Sequence, residues 1–378
     1  MPTEPLADLR THFGGLQDPR IERSKRHALL DIITIAICGV ICGADSWVNV
    51  ADWGLSKQVW LRQYLELPNG IPSHDTFSDV FARLNAEQFE SAFVSWVQAV
   101  MHVTHGQVIA VDGKTLRRSH DHRLGKNAIH LVSAWATTNR LVLGQVAVDG
   151  KSNEITAIPA LLEVLELAGC VVAIDAMGTQ TEIAQTIVDQ QADYVLALKE
   201  NQGRLYQDVE ATFEEADELA FAHVPHTYAK TTNKGHGRLE VRECWAIDRP
   251  DYIQALRDWI KWPGLRSLVR IRAQRRIGDE VSIEDRYHIS SLPGQADQLL
   301  TTVRSRWGIE NEEHWCLDVT FREDDSRVRK GDGAQNFSIL RRLALNLLRR
   351  EKTAKIGLNG KRLKAGWDEA YLLKVLAA

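Results

Sequence analysis

Two apolar runs in the sequence, Val108 to Asp112 and Val171 to Asp175, each lead to an aspartate. Each run is typical of a buried strand that carries its acid to the edge of a sheet, because a break follows directly. Two such edges can share metal ions, and a third carboxylate from a helix would let the set hold divalent cations against a phosphodiester. The pattern therefore indicates an enzyme that processes nucleic acids.

The segments around these two acids predict the elements that must carry them. After residue 106 three strand-like runs follow one another, and helices then alternate with two further strands. The second of these helices is predicted to begin with a capping box formed by Thr179 and Glu182. The predicted strands are Val108 to Asp112, Leu131 to Ala136, Leu141 to Val148, Val171 to Asp175 and Tyr194 to Leu198. The order βββαβαβ resembles the ribonuclease H-like fold of many polynucleotidyl transferases.

This topology predicts the third acid on a helix that follows the fifth strand. The helix that begins at Ala296, after a long insertion, offers Glu310, Glu312 and Glu313. Arg306 and Glu310 lie one turn apart on one face, whereas Glu312 points about 200° away at roughly 100° per residue. Glu310 is therefore the predicted third acid, although spacing alone leaves Glu313 open.

Several motifs together resemble the H-repeat-associated group of DDE insertion-sequence transposases, the ISAs-type elements. They are Ala110 to Thr115, Lys151 to Pro159, Arg306 to Asn311, His314 to Val319 and Ala344 to Arg349. The resemblance implies that Asp112, Asp175 and Glu310 are the catalytic triad and the metal ligands. It also implies Mg²⁺ as the cofactor, for which Mn²⁺ can substitute, and DNA as the partner.

The sequence departs from the wider superfamily at two positions. That superfamily carries a tyrosine, arginine, glutamate and lysine signature on the last helix, and Arg306 and Glu310 match its two central members. The tyrosine position is Val303 and the lysine position is Leu317. The DNA contact usually assigned to that lysine is therefore predicted to come from Arg322, Arg327 or Lys330.

Other cations are candidates for DNA contacts, because the formal net charge of −4 requires local basic patches. Lys114, Arg117 and Arg118 follow the first acid and suit either a phosphate contact or a solvated turn. The segment from Arg341 to Lys364 holds nine Lys or Arg and only Glu351 as an acid. Its predicted phosphate ligands, together with Arg306 on the preceding helix, are Arg341, Arg342, Arg349 and Arg350.

Polar residues beyond Glu310 have both functional and structural interpretations. His314 would orient a ligand or contact a phosphate, whereas Trp315 is expected to pack. Asp318, Glu323 and Asp324 extend the acidic region and are predicted to be structural.

The length of 378 residues predicts several units. An all-α domain over 1–104 is the predicted DNA-binding domain. Two of its helices are joined by a tight turn, and such a pair either reads DNA or serves only as a packing unit. Residues 105–198 and 294–350 would form the α/β ribonuclease H-like catalytic domain. Residues 199–293 would form a β-rich insertion with its own packing, and 351–378 a basic C-terminal tail.

The five scattered cysteines, without a C-x-x-C pair, favour a reducing cytoplasm over a disulfide framework or a zinc site. The N-terminus has no charged-then-apolar leader. The apolar stretch from Ala28 to Cys42 is too short to span a membrane and contains Asp31, so it is predicted to be a buried helix. The expected location is the cytoplasm, at the nucleoid when the protein is bound to DNA.

The combined expectation is a transposase that binds the terminal inverted repeats of its element, cleaves there and joins the 3′ ends to target DNA. Two ends must be held together, which predicts a homodimer. Two alternatives stay open: a metal-dependent DNA nuclease without strand transfer, and a non-catalytic DNA-binding regulator derived from a transposase.

Overall fold

The computed structural model describes residues 7–101, 105–120, 127–148, 153–235 and 237–378. Lys151 and Ser152, which begin one of the motifs, lie outside these ranges. No helix in the described ranges is both long and apolar enough to cross a membrane.

The described residues before 102 form helices and connecting turns. Asn85 caps the last helix by accepting a hydrogen bond from the backbone N–H of Gln88 at 2.8 Å. The predicted buried helix is confirmed as α2, most of which is shielded from solvent. These helices are α1 (Ala7–Phe13), α2 (Leu29–Ile41), α3 (Trp47–Ser56), α4 (Gln58–Leu61), α5 (His74–Arg83) and α6 (Ala86–Val100).

The next elements follow the predicted order βββαβαβ. They are β1 (Val108–Thr115), β2 (His130–Ala136), β3 (Leu141–Ala147), α7 (Glu154–Glu163), β4 (Val171–Ile174), α8 (Thr181–Asp189) and β5 (Asp193–Leu198). Strand β1 is antiparallel to β2 and parallel to β4, and β4 is parallel to β5. This mixed sheet with flanking helices fits a ribonuclease H-like domain.

Two local predictions in this region are wrong. Strand β1 does not end at Asp112, because it continues beside β2 as far as Thr115. The helix after β4 is not capped by Thr179, whose hydroxyl instead donates to the backbone carbonyls of Asp175 and Ala197. Both differences arise from contacts with neighbouring strands, which local patterns do not contain.

The insertion extends the central sheet. It contains α9 (Gly203–Glu218), β6 (Thr227–Gly235), β7 (Arg238–Ile247), α10 (Pro250–Ala255), β8 (Ser267–Ile277) and β9 (Glu280–Ser290). Because β9 pairs with β5, one nine-stranded sheet results, in the order β3-β2-β1-β4-β5-β9-β8-β7-β6. The expectation that the insertion packs by itself is wrong, since Cys244 and Ile271 share an apolar cluster with Val171 and Val195 of the central strands.

The last elements are helical. They are α11 (Ala296–Arg306), a π-helical turn (Ile309–His314), α12 (Trp315–Val319), α13 (Gly333–Arg350), α14 (Leu358–Trp367) and α15 (Glu369–Leu376). Helix α13 is buried over most of its length and contacts α2, α5, α6 and β3. One apolar core therefore joins the N-terminal helices to the sheet, and the residues after 350 fold as two helices.

Candidate active site

The two aspartates of the apolar runs lie at the same end of adjacent strands. Val111 of β1 pairs with Ile174 of β4 in parallel register, so the next residues, Asp112 and Asp175, are neighbours. Adjacent strands are separated by about 4.8 Å, which is a distance that two carboxylates can span together with a shared ion. Oδ1 of Asp175 accepts backbone hydrogen bonds from Met177 at 3.1 Å and Gly178 at 3.2 Å, which fixes its orientation.

Glu310 reaches this position from the π-helical turn. Its Oε1 lies 3.9 Å from a guanidinium nitrogen of Arg306, so the predicted one-turn pair exists but is long. A π-helical turn is closed by i→i+5 hydrogen bonds and is frequently found at functional sites. The wider turn also carries His314, whose Nδ1 lies 3.8 Å from Oδ2 of Asp112.

The electrostatics of Asp112 reflect this crowding of acids. Burial, together with the negative charges of Glu310, Asp175 and Glu154 and against the opposing charge of Arg306, raises the pKa of Asp112 to about 7. The side chain is 18% exposed. A carboxyl in this state gains most from a cation that binds beside it.

His314 does not supply that positive charge. Burial, with the charges of Arg342 and Lys114 as further causes, lowers the pKa of His314 to about 3. The ring is therefore neutral at physiological pH, and within the described residues its buried Nε2 has no hydrogen-bond partner. The neutral ring lies beside Asp112, at a distance too long for a hydrogen bond to that carboxylate.

The two neighbouring glutamates are committed elsewhere, which distinguishes them from Glu310. Glu313, which spacing left open, is fully buried and pairs with Arg342 at 3.1 Å. Glu312 pairs with Arg140 at 2.5 Å. Of the three glutamates on this turn, Glu310 is the one whose charge raises the pKa of Asp112.

The donor set fits a hard divalent cation, because carboxylate oxygens are the ligands that Mg²⁺ prefers. In the described ranges, no ion pair shorter than 3.8 Å involves Asp112, Asp175 or Glu310. Equally, no group of three His, Cys, Asp or Glu side chains in those ranges is already arranged to hold a metal. The three carboxylates would have to close further around an ion to bind it.

Comparisons with known proteins agree with this geometry. Residues 104–347 match the family model described as Transposase DDE domain, and residues 10–97 match the one described as DDE_Tnp_1-associated. An H repeat-associated putative transposase from Escherichia coli K12, YhhI, is 39% identical over 98% of both chains. The chain belongs to the DDE transposases of the H-repeat group. It is therefore an enzyme of the polynucleotidyl transferase and endonuclease class, whose DDE domains use divalent metals.

A second relative and one solved structure are also similar to this chain. The H repeat-associated putative transposase YbfD of E. coli K12 is 40% identical over 65% of this chain and 96% of its own. A solved piggyBac transposase synaptic complex with hairpin DNA matches with a TM-score of 0.39 and 11% identity, over 98% of this chain and 78% of that one.

Lys114 of the transposase does not lie on a solvated turn or at an open phosphate position. It projects from β1 into the protein, is 9% exposed, and pairs with Glu323 at 2.9 Å and with Asp318. Glu323 also accepts from Arg342 at 3.2 Å. The prediction that Asp318 and Glu323 are structural agrees with these ion pairs, and Lys114 is committed to them.

The basic segment of α13 is also largely structural. Arg341 and Arg342 are 1% and 0% exposed, so the prediction that they contact DNA is wrong. Arg349 donates to the backbone carbonyls of Arg140 and Glu312, and the guanidinium of Arg350 bonds backbone carbonyls at Val100 and Ala378. The flanking Leu340 and Leu343 were the available sign that this face is buried.

Arg306 is 15% exposed beside Glu310, whereas the other five predicted DNA ligands lie on the surface. Each of four forms an ion pair with a nearby aspartate at 2.5 to 3.3 Å; they are Arg117, Arg118, Arg322 and Lys330. Arg327 is exposed and makes no ion pair within the described part of the chain. The backbone carbonyl of Arg118 accepts from Arg329 at 2.9 Å, which brings the two surface segments together.

The sequence argument missed two features of the site. Glu154, the first residue of α7, contributes to the electrostatics of Asp112, and its membership of the motif from Lys151 to Pro159 was the available signal. A cavity of about 1060 Å³, here called the groove, lies between the insertion strands and α11. Five arginines and three glutamates line it: Arg238, Arg242, Arg275, Arg286, Arg304, Glu240, Glu284 and Glu312.

Proposed function

We propose that this transposase binds the terminal inverted repeats of its element, cleaves the DNA there and joins the freed 3′ ends to target DNA. The proposed catalytic residues are Asp112, Asp175 and Glu310. The observation that carries the proposal is the approach of three acids from two strands and a helix, with no short ion pair to neutralise them. Mg²⁺ is the proposed cofactor, and Mn²⁺ is expected to substitute.

The acids and the residues beside them have different roles in this proposal. The charges of Asp175 and Glu310 both act on Asp112, and the three carboxylates would together hold the divalent ions. Divalent ions held there would stabilise both the attacking and the leaving oxygen of an in-line displacement. His314 lies beside the Asp112 carboxylate, and Arg306 partly offsets the repulsion among the acids.

The groove is the proposed path for DNA beside the acids. Its lining includes Asn311, the residue after Glu310, but none of the three acids themselves. Phosphate contacts need accessible cations, and the excess of arginines over glutamates in this lining meets that need. Arg327, Arg117 and Arg118 are proposed to contact a second set of DNA phosphates.

Three further proposals concern binding of the element ends, the number of copies in the complex and the location of the protein. The helices before residue 102 are proposed to bind the element ends, and two copies are proposed to hold two ends in one complex. The cytoplasm is the proposed location.

A strand-transfer assay tests the proposal. Pre-cut element ends with 3′ hydroxyls are mixed with a target plasmid in Mg²⁺, and joined product is expected from the wild type. Asp112→Ala and Glu310→Ala should each lower the rate at least about a thousandfold, since the metal contributes several kcal/mol of transition-state stabilisation. The exposed Glu214→Ala on α9 is the matched acid control.

The assay also separates the rival functions. Nicked target without joined product would favour a nuclease, and no metal-dependent cleavage at all would favour a DNA-binding regulator. Normal cleavage by Asp112→Ala or Glu310→Ala would contradict the assignment of these acids.

A further inference from the structure

Strand β1 has an unpaired edge where it carries Asp112. Its pairing with β4 ends at Val111 and Ile174, whereas its pairing with β2 continues to Thr115. Groups on both faces of β1 can therefore approach the same space beside this edge. The side chain of Asp112 lies on one face of the strand. The next residue, Gly113, belongs to the other face and leaves space there because it has no side chain.

The face at Gly113 is occupied by two side chains from other elements. A Cβ atom on Gly113 would lie 2.2 Å from Oε1 of Glu154 and 2.5 Å from Nε2 of His130. Both distances are far shorter than a non-bonded contact, so only glycine lets these two groups lie against the strand. The carboxylate of Glu154 is thereby held next to the backbone that carries Asp112.

A short chain of hydrogen bonds fixes the orientation of Glu154. Nε2 of His130 lies 2.5 Å from Oε1 of Glu154, and Nδ1 of the same ring lies 2.8 Å from the hydroxyl of Thr115. Oε2 of Glu154 has no hydrogen bond among the described residues, so one oxygen is held and the other is available. The charge of Glu154 also acts on Asp112, as the raised pKa of that carboxyl reflects.

This arrangement has a specific use beside a magnesium site. Mg²⁺ keeps several of its waters when it binds to carboxylates, and those waters need acceptors in fixed positions. Carboxylates that accept from such waters, and that are themselves held by hydrogen bonds, tune metal affinity by about 10- to 100-fold. Glu154 is held in this way by His130, and its second oxygen is left to accept from such a water.

We propose that Glu154, held by His130 against Gly113, is a fourth acid of the catalytic centre and positions the water shell of the bound divalent cation. The inference rests on the proposed function, because it presumes a cation between Asp112, Asp175 and Glu310. Glu154 is a positioning residue, since its carboxylate acts through water and through Asp112.

Two measurements on Glu154→Gln test this inference. The amide keeps the shape and a hydrogen-bond acceptor for His130 while it removes the charge. The Mg²⁺ concentration for half-maximal cleavage is expected to rise about 10-fold or more, with a smaller change in the rate at saturating Mg²⁺. Direct Mn²⁺ binding without DNA, followed by electron paramagnetic resonance, should weaken by a similar factor.

The controls separate positioning from structure. Glu163→Gln lies on the same helix, is exposed, and should leave both measurements unchanged. Gly113→Ala displaces Glu154 and His130 without changing any carboxylate, so it should weaken Mn²⁺ binding in the same direction as Glu154→Gln. Thermal unfolding of each variant shows whether the fold is retained.

The outcomes distinguish this inference from the proposed function. If the wild type binds Mn²⁺ but does not cleave, the proposed function fails while the binding series still decides the role of Glu154. Unchanged Mg²⁺ and Mn²⁺ dependence in folded Glu154→Gln, or unchanged Mn²⁺ binding in folded Gly113→Ala, would overturn the inference. A wild type that binds no Mn²⁺ would overturn it as well.

Discussion

Two groups of acids each take one member from the same π-helical turn, and they differ in burial and in ion pairing. The open cluster consists of Asp112, Asp175 and Glu310, which have no short ion pairs in the described residues. The paired cluster consists of Glu313 and Glu323, which are fully buried with Arg342, together with Lys114. Asp112 and Lys114 lie two residues apart on the same strand.

The difference shows how one fold uses carboxylates for two purposes. A buried carboxylate with fixed cationic partners is stable, and it is unavailable to a ligand. A partly exposed carboxylate without them is destabilised by its neighbours until a cation arrives. Availability, more than the number of acids, therefore separates the candidate catalytic residues from the structural ones.

The largest expected effect comes from breaking the paired cluster. Arg342→Met should lower the free energy of unfolding by about 3–5 kcal/mol, because it leaves two buried glutamates without their shared partner. Urea unfolding at pH 7 measures this. Arg117→Gln removes an exposed ion pair with Asp324 at 3.2 Å and should cost less than about 1 kcal/mol. Equal effects of the two variants would contradict the contrast between the clusters.

The open cluster should behave in the opposite way. The pKa of Asp112 is about 7 in the fold against an ordinary 3.8, so without metal its ionisation removes stability as pH rises from about 4 to about 7. Metal-free Asp112→Asn should therefore be more stable than the wild type at pH 8, by roughly 1–3 kcal/mol, and the gain should shrink toward pH 4.

The paired cluster predicts the reverse pH dependence. The charges of Arg342 and Lys114 overcome burial and hold the pKa of Glu323 well below its ordinary value of 4.5. Its contribution to stability is present at neutral pH and is lost as pH falls below that value.

Unfolding curves for wild type, Asp112→Asn and the control Glu214→Gln across pH 4 to 8 test the pH dependence expected for Asp112. A wild type that gains stability between pH 5 and 8 relative to Asp112→Asn would contradict it.

His314 lies between the two clusters and should have a moderate effect. His314→Asn is expected to slow cleavage by about 10-fold, or about 1.4 kcal/mol, because Asp112 loses the neutral ring beside it. Since burial keeps the pKa of His314 at about 3, the wild-type rate should show no histidine-like step between pH 5 and 8. A step near 6.5 that vanishes in His314→Asn would show that the ring acts as an acid or base.

The smallest effect concerns surface cations. Arg327→Gln should weaken binding to element-end DNA and reduce the slope of log affinity against log salt by about 1, as expected for one lost phosphate contact. Arg322→Gln should change the slope less, because Arg322 already pairs with Asp325 at 3.2 Å. Fluorescence anisotropy at several salt concentrations measures both. An unchanged slope for Arg327→Gln would remove it from the DNA-binding surface.

Much of the central fold could be predicted because its strands are continuous apolar runs. The order of β1 to β5 and the positions of Asp112, Asp175 and Glu310 follow from such runs and from helical spacing. Strand β6 escaped prediction, since its segment is polar and only Ala229 in it is buried. Edge strands are stabilised by pairing more than by burial, so their sequences carry weak signals.

Whether a basic side chain is exposed or buried in an ion pair could not be predicted either. Arg341 and Lys114 resemble solvent-exposed cations in the sequence, because their partner Glu323 is distant in the chain and reaches them only after folding. Charge counts report how many cations a segment contains. Whether a cation faces DNA or a buried acid depends on tertiary contacts, and here those contacts decided it.

The π-helical turn between Ile309 and His314 has a consequence for how this chain can change. Within it, the charge of Glu310 acts on Asp112 while Glu313, three residues later, pairs with Arg342. Removing one residue would rotate everything beyond it by about 100°, so that either chemistry or the folded core would lose its acid. The extra residue of this turn thus sets the directions of Glu310 and Glu313 at the same time. An insertion or deletion within the turn would misplace one of them, so the length of the turn is constrained.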